Sequence, residues 1–462
     1  MPCSCSAHAI RAELPKNLIT LVSDMLKKLT SSFLRMKPAV LIGIVLLLEA
    51  VAFTTVLPAI QSAMAPNYGI SFTDNYQLLG QHLAAGEGFR FTLDTSLTLM
   101  REPGYPFFLA GLFTVFGYSL TAARMANLLF AFGSALLVSH LARKVSGSEL
   151  AARVAPLLFL VHPGVILSEA RGGVECLFIL LLMLFFWKLL QALDSARMKD
   201  YLLAGLLLGL SATVRSTALL FPGFLLIYFV FFERVRPSLV TMASRVAVMM
   251  LAAFLVLSPW IVRNYKLVHE FVPTASVMGV SAYSGYHICT NLTFRNTLHD
   301  VDAAAGDARA ALARQQGYKF KEMDNLYYLY FFSPKDEITF NEYLAKTVMG
   351  HYRESPGLFI SCVSKNLFHF WFSGRNWTVT AINVVIQLPY LVLGILGMIW
   401  GWRSENRPAF ATFVLFIVYT MAVYLPILAQ VRYSMHLIPL LCICAAIPVA
   451  GFWRKRAALA SA

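Results

Sequence analysis

Three polar clusters crowd one stretch of an otherwise apolar chain. The stretch begins Ser71-Phe72-Thr73-Asp74-Asn75-Tyr76, continues through Gly86-Glu87-Gly88-Phe89 and closes on Arg101-Glu102-Pro103-Gly104-Tyr105-Pro106. A carboxylate, an Arg–Glu pair and a Gly/Pro-rich turn between two apolar runs suit work on an anionic substrate held in a membrane. Ionisable groups are costly beside a bilayer, so a cluster of them is a functional candidate by default. Asp74 precedes an apparent helix that stops at Gly86. It could be that helix's N-cap, a position Asp favours. The two turns that bracket it in the same loop make it a candidate base as well.

The chain around these residues is that of a polytopic membrane protein. Of 462 residues 58% are hydrophobic and only 13% are charged, where a soluble domain is nearer a quarter charged. Mean hydropathy is +0.65. The net charge of +14 does not point to nucleic acid, because the Lys and Arg residues gather beside the ends of apolar runs. The 7 cysteines show no metal spacing. Cys289 and Cys362 fall in one extramembrane region and could pair if it is oxidising; unpaired thiols are the plainer alternative.

Apolar runs give about ten spans: 38–60, 121–142, 150–161, 174–193, 201–214, 216–232, 245–262, 381–402, 409–428 and 433–452. The third and fifth are short and are expected to tilt or to borrow their polar flanks. Basic residues fall on alternate loops: Arg143, Lys144 and Arg153; Arg197 and Lys199; Arg234 and Arg236; Arg403 and Arg407. With the leader (Arg11 to Lys37) and the tail (Arg454, Lys455, Arg456) they lie on one side, which the positive-inside rule makes cytoplasmic. The expected layout is a leader over 1–37, a membrane module over 38–262 with an outer loop at 61–120, an outer α-rich subdomain over 263–380, further spans over 381–452 and a tail over 453–462. An Ala-rich helix is expected near 302–314, and another over 337–372 broken at Ser355-Pro356-Gly357.

At this point the chain resembles a known family. Asp74-x-Tyr76, Gly86-Glu87-Gly88-Phe89, Glu102-Pro103-Gly104-Tyr105-Pro106 and Phe116-Gly117-Tyr118-Ser119 with Arg124 look like the N-terminal half of the GT-C membrane glycosyltransferases, nearest the dolichyl-phosphate-mannose–protein mannosyltransferase-like superfamily. That group includes bacterial transferases acting on lipid A and lipopolysaccharide core. Val174-Glu175-Cys176-Leu177-Phe178, Gly205-x-x-x-Gly209 with Arg215, Pro259-Trp260-x-x-Arg263 and Arg432-Tyr433 with Pro439 follow in order. The resemblance covers about residues 38–452 and is weakest over 263–380.

The resemblance implies an all-α GT-C-like membrane fold with a small periplasmic or lumenal subdomain, in a bacterial inner membrane. It implies transfer of a hexosyl or pentosyl group from a polyprenyl-phosphate donor to a lipid, glycan or protein acceptor. A lipid phosphate leaves as a stable anion, so the demands are a base and cations, not an acid. Asp74 suits the base and could also help hold a divalent metal ion. Glu102 is the second catalytic candidate, its role open, and Arg101 is expected to hold it in an ion pair. Tyr76, Arg101, Tyr105, Glu175, Arg215, Arg263, Arg432 and Tyr433 are the substrate-binding candidates. Arginines give bidentate phosphate contacts, though each could equally snorkel to the interface. Glu175 could merely complement its helix N-terminus. The rival classes are a polysaccharide ligase or polymerase, and a lipid-linked sugar flippase, which would show repeated halves.

Overall fold

The computed structural model describes residues 36–56, 75–232, 237–293, 295–321 and 329–461, the last helix by its backbone alone beyond Trp453. The basic leader, Asp74 with most of the loop before it, and the Arg234/Arg236 turn lie outside the described residues.

Among the described residues each of the ten apolar runs contains helix. Helix α1 (Pro38–Val51) is prolonged by a π turn; α2 (Tyr76–Ala84) and α3 (Gly104–Phe116) are short. Then come α4 (Leu120–Ser146), α5 (Glu149–Leu160), α6 (Pro163–Ala170), α7 (Glu175–Ser195), α8 (Met198–Val214), α9 (Phe221–Phe231) and α10 (Leu239–Val268). Among the described residues seven helices, not the expected ten, are long and apolar enough to cross a membrane, or eight if α5 and α6, bent by 54°, form one broken span. The break has a local cause. His162 is extended, its Nδ1 accepts the Gly164 N–H at 3.1 Å, and Pro163 opens α6. The fifth and sixth runs are short for a related reason: Arg215 is extended and ends α8, and a 3₁₀ turn and Pro222 restart the chain as α9.

Packing explains the glycine motif. A Cβ at Gly205 would lie 2.4 Å from the Met249 carbonyl oxygen, and one at Gly209 2.7 Å from that of Ala253. The pair lets α8 meet α10 backbone to backbone, the way helices associate where lipid removes most of the hydrophobic drive. Helix α7 is central, with Phe178, Leu182, Phe185, Phe186 and Leu189 all buried.

Beyond α10 the chain forms α11 (Met278–Asn291), α12 (Leu298–Gln315), a two-residue β-ribbon (β1 Phe320–Lys321, β2 Tyr330–Phe331), α13 (Pro334–Glu354) and α14 (Pro356–Phe372). Thr297 and Asp300 make a capping box at α12, and the expected break stands between α13 and α14 at Ser355-Pro356. A separate apolar cluster, including Phe89, Phe91, Trp260, Tyr283, Phe331, Phe340 and Leu344, joins these helices to the 75–100 segment. Helices α15 (Trp377–Trp402), α16 (Arg407–Tyr424) and α17 (Ile438–Ser461) complete the bundle. Val385, Val392 and Ile395 of α15 face outward, as on a lipid-facing surface.

Cys289 and Cys362 are disulfide-bonded, tying α11 to α14 across 73 residues of chain. Closing a loop of that length stabilises by roughly 2–4 kcal/mol. The Cys289→Ser and Cys362→Ser variants should each lose about that much in denaturant or thermal unfolding, and the double variant no more than either single. A double variant twice as destabilised would mean that the thiols act separately.

Candidate active site

The site is assembled where an extended loop crosses the ends of four helices. Thr98 to Met100 is clamped from the helices beyond α10. The Glu337 carboxylate of α13 accepts the Leu99 N–H at 2.7 Å and the Thr98 hydroxyl at 2.8 Å. That hydroxyl accepts in turn from the Met100 N–H at 3.0 Å. The Ser276 N–H donates to the Leu99 carbonyl at 2.7 Å, and Arg263 Nη1 donates to the Thr98 carbonyl at 2.9 Å. Burial pushes the Glu337 carboxyl up to about 7; the Thr98 and Leu99 hydrogen bonds, then Arg263 and Arg101, oppose the shift.

The turn that follows docks on the end of α8. Glu102 Oε1 accepts from the Ser216 N–H at 3.2 Å and from its hydroxyl at 2.9 Å. Among the described residues Glu102 is held by Ser216, brought in by the extended backbone at Arg215, and not by the expected ion pair with Arg101. Gly104 is required at the contact, since a Cβ there would sit 2.5 Å from Thr213 Oγ1.

Most of the other candidates meet in one contiguous cluster. Arg101 lies over the Tyr76 ring at 5.4 Å, and Tyr76 meets Tyr105 edge-on at 5.6 Å. The Tyr105 hydroxyl donates to the Gly172 carbonyl, while Asn127 Nδ2 donates to that of Gly173 at 2.9 Å and Arg124 Nε to that of Ala170 at 2.6 Å. These bonds fix the turn that delivers Glu175 to the head of α7. Glu175 pairs with Arg215 at 2.8 Å, both side chains about nine-tenths buried. Arg215 also lies over the Tyr433 ring at 5.7 Å, and Arg432 lies over the same ring at 5.2 Å. Tyr433 stacks on Tyr424 at 4.6 Å. Arg263 stands apart from this cluster, bound to Thr98 and Asn264 and lying over Trp260 at 4.5 Å. Asp74 lies outside the described residues.

Beside the cluster opens a cavity of about 670 Å³. Glu175 and Arg432 line it, together with Arg171, Arg375, His299 and Asp302. Val379, Ile382 and Ile386 of α15 give it an apolar wall. Asp302 is raised to about 6 by burial, against the pull of Arg309 and Arg432. Arg171 and Arg375 were not singled out from the sequence. A signal was present: both fall on loops opposite to those where the positive-inside pattern collects its basic residues. Among the described residues no three His, Cys, Asp or Glu side chains come together as a metal site; Asp74, the expected ligand, is not among those residues.

The comparisons agree with this architecture. Residues 101–262 match the family profile described as dolichyl-phosphate-mannose-protein mannosyltransferase. Among solved structures, the apo oligosaccharyltransferase of Archaeoglobus fulgidus superposes with a TM-score of 0.54 at 14% identity, covering 90% of this chain and 51% of that one. The same organism's oligosaccharyltransferase AglB, in complex with an inhibitory peptide and a dolichol-phosphate, gives 0.50 at 12% identity, with 90% and 50% covered. The chain thus spans about half the length of the structures it matches. Among curated proteins no sequence relative is found. The fold is the all-α polytopic membrane architecture of these oligosaccharyltransferases, and the family match is carried by residues 101–262. The resemblance read from the motifs therefore stands.

Two outcomes follow from the buried charges. Glu175→Ala strands the Arg215 guanidinium and should cost about 3–5 kcal/mol, with Glu175→Met/Arg215→Met costing less than the sum of its single variants; additive losses in thermal unfolding would show the pair to be uncoupled. Glu337 has a raised folded-state pKa, so the folded protein holds its proton more tightly than the unfolded chain does. Its carboxyl should therefore lose wild-type stability, relative to Glu337→Gln, as pH rises from about 4.5 to about 7, and then level off. A difference in melting temperature that is flat across this window would mean that the carboxyl titrates as if exposed.

Proposed function

We propose that this chain transfers a sugar from a polyprenyl-phosphate carrier to a lipid, glycan or protein acceptor, on the extracytoplasmic face of a bacterial inner membrane. The observation that carries the reading is the cavity: cationic side chains, Arg171, Arg375 and Arg432, at one end of a chamber with an apolar wall on a membrane helix. A phosphate on a long hydrocarbon needs both. The dolichol-phosphate in the AglB complex supports a lipid-phosphate carrier. The Cys289–Cys362 disulfide supports an oxidising compartment for that end of the molecule.

The chemistry needs little machinery. Asp74 takes the proton of the acceptor hydroxyl, whose oxygen attacks the anomeric carbon. The bond from that carbon to the phosphate oxygen breaks, and the phosphate leaves as an anion held by Arg432 with Arg171 and Arg375. Arg215, already neutralised by Glu175, acts as a pillar that fixes Tyr433 and, through that ring, Arg432. Glu102 holds the turn against Ser216 and is a positioning residue on this reading. With no second carboxylate assigned as nucleophile, the reaction is a single displacement with inversion. A divalent ion at Asp74 would add charge for the phosphate, and no step above depends on it.

Asp74→Asn should lower turnover by roughly 10²–10⁴ while donor binding survives, the usual span for losing a general base. Arg432→Ala should weaken donor binding instead. Single-turnover assays with glycosyl polyprenyl phosphates, after mass spectrometry of envelope lipids and glycans with and without the protein has identified the product, separate the two. Full activity in Asp74→Asn would remove the base assignment, and a product that retains the donor's anomeric configuration would remove the single displacement.

A further inference from the structure

The buried end of the cavity is chemically unlike its exposed, cationic end. Two side chains line it that are almost wholly inaccessible, His162 at 1% and Gln387 at 3% exposure. His162 Nδ1 accepts the Gly164 N–H, so it carries no proton, and the neutral ring holds its proton on Nε2. That Nε2 is buried and finds no partner. Gln387 lies ten residues into α15, about 15 Å along its axis. Its Oε1 is likewise buried without a partner. Gln387 lies within hydrogen-bonding reach of the imidazole, but the two are not aligned as a formed bond, and Nε2 and Oε1 each lack a partner in bonding geometry. Tyr390 packs edge-on against His162 at 4.8 Å, but its hydroxyl is taken by the Leu158 carbonyl at 2.9 Å. One buried donor and one buried acceptor thus stand side by side, each without a partner in bonding geometry.

We propose that His162 and Gln387 form a hydroxyl-recognition subsite that reads the sugar of the lipid-linked donor. One ligand hydroxyl accepts from His162 Nε2–H and donates to Gln387 Oε1, satisfying both atoms. The pairing selects its ligand chemically. A phosphate oxygen has no proton to give and would face the glutamine oxygen unfavourably, so the anion belongs with the arginines. A hydrocarbon would leave both atoms unpaired. If roughly equidimensional, a cavity of 670 Å³ is about 11 Å across, room for a phosphate at one end and a monosaccharide at the other. This inference rests on the lipid-phosphate reading above and adds a specificity element to it.

The test uses the full chain in nanodiscs. The probes are sugar-free decaprenyl phosphate, decaprenyl phosphates carrying glucose, mannose or arabinose, and phosphatidylglycerol as a hydroxyl-bearing lipid without sugar. Wild type should prefer at least one glycosylated lipid over the sugar-free one by about tenfold, the worth of a well-made pair of buried hydrogen bonds. Gln387→Met, of similar shape, should abolish that preference while leaving decaprenyl phosphate affinity unchanged. His162→Asn, which keeps a helix-capping side chain, should abolish it too. A preference that survives in Gln387→Met overturns the subsite, as does an equal loss for the sugar-free lipid, which would mark a structural role. A Gln387-dependent preference for phosphatidylglycerol would move the hydroxyl to an acceptor lipid and overturn the donor assignment. If wild type binds both decaprenyl classes equally, the subsite fails and the lipid-phosphate reading stands; if it binds neither, that reading fails with it.

Discussion

The buried ion pair between Glu175 and Arg215 is the constraint on which the candidate site depends. Two charges taken from water into a membrane bundle are tolerated only if each satisfies the other. That requirement sets the relative position of two helix ends, the head of α7 and the tail of α8, to within a hydrogen bond. Everything nearby is referenced to it. The turn before Glu175 is held by Tyr105, Arg124 and Asn127 through backbone carbonyls. The residue after Arg215 binds Glu102. Tyr433 lies beneath both Arg215 and Arg432. A pair that contributes little net stability can still specify geometry, because every alternative leaves a bare charge in apolar surroundings.

A second clamp connects the helices beyond α10 to this frame. The two oxygens of Glu337 hold the backbone N–H of Leu99 and the side chain of Thr98, three and four residues before Glu102. The clamp therefore ties α13 to the chain just before the Arg101-Glu102 turn. The disulfide between α11 and α14 and the aromatic cluster around Trp260 and Phe340 stiffen the same assembly. The cavity lies between this cap and the membrane helices, lined from α6, α12 and α15 and by the 3₁₀ turn Val431–Leu437. Three of those four elements are remote in sequence from the acidic loop that first drew notice.

Charged residues divide into those spent on the fold and those facing the cavity. Arg215 and Glu175 neutralise one another, and Arg263 is bound to the Thr98 carbonyl and Asn264. Arg171, Arg375 and Arg432 line the open volume. Arg215 and Arg263, both substrate-binding candidates on sequence grounds, are thus held by protein groups as well. The distinction rests on which side chains line the cavity, which span-end placement does not specify.

What the sequence determined by itself was of long range and low resolution. Hydrophobic runs located the membrane helices but overcounted the spans, because a bilayer demands apolar length and internal backbone hydrogen bonding whatever the neighbours are, and turns such as those at His162 and Arg215 break a run without leaving it polar. Gly205-x-x-x-Gly209 marked a close helix contact, Ser355-Pro356 marked a break, and the motif order marked the GT-C architecture. Tyr76, Arg101, Glu102, Tyr105, Glu175, Arg215, Arg432 and Tyr433 were legible as candidates because charges and tyrosines at span ends stand out against an apolar background. Only the tertiary structure decided their partners. Glu102 took Ser216 in place of Arg101 because Arg215 leaves the helix in an extended conformation and carries Ser216 to it. Glu337 reached Thr98 across 239 positions, and Gln387 came to lie beside His162. Contacts of that kind depend on how helices are rotated and stacked against one another, and neither local periodicity nor residue type along one chain encodes that rotation.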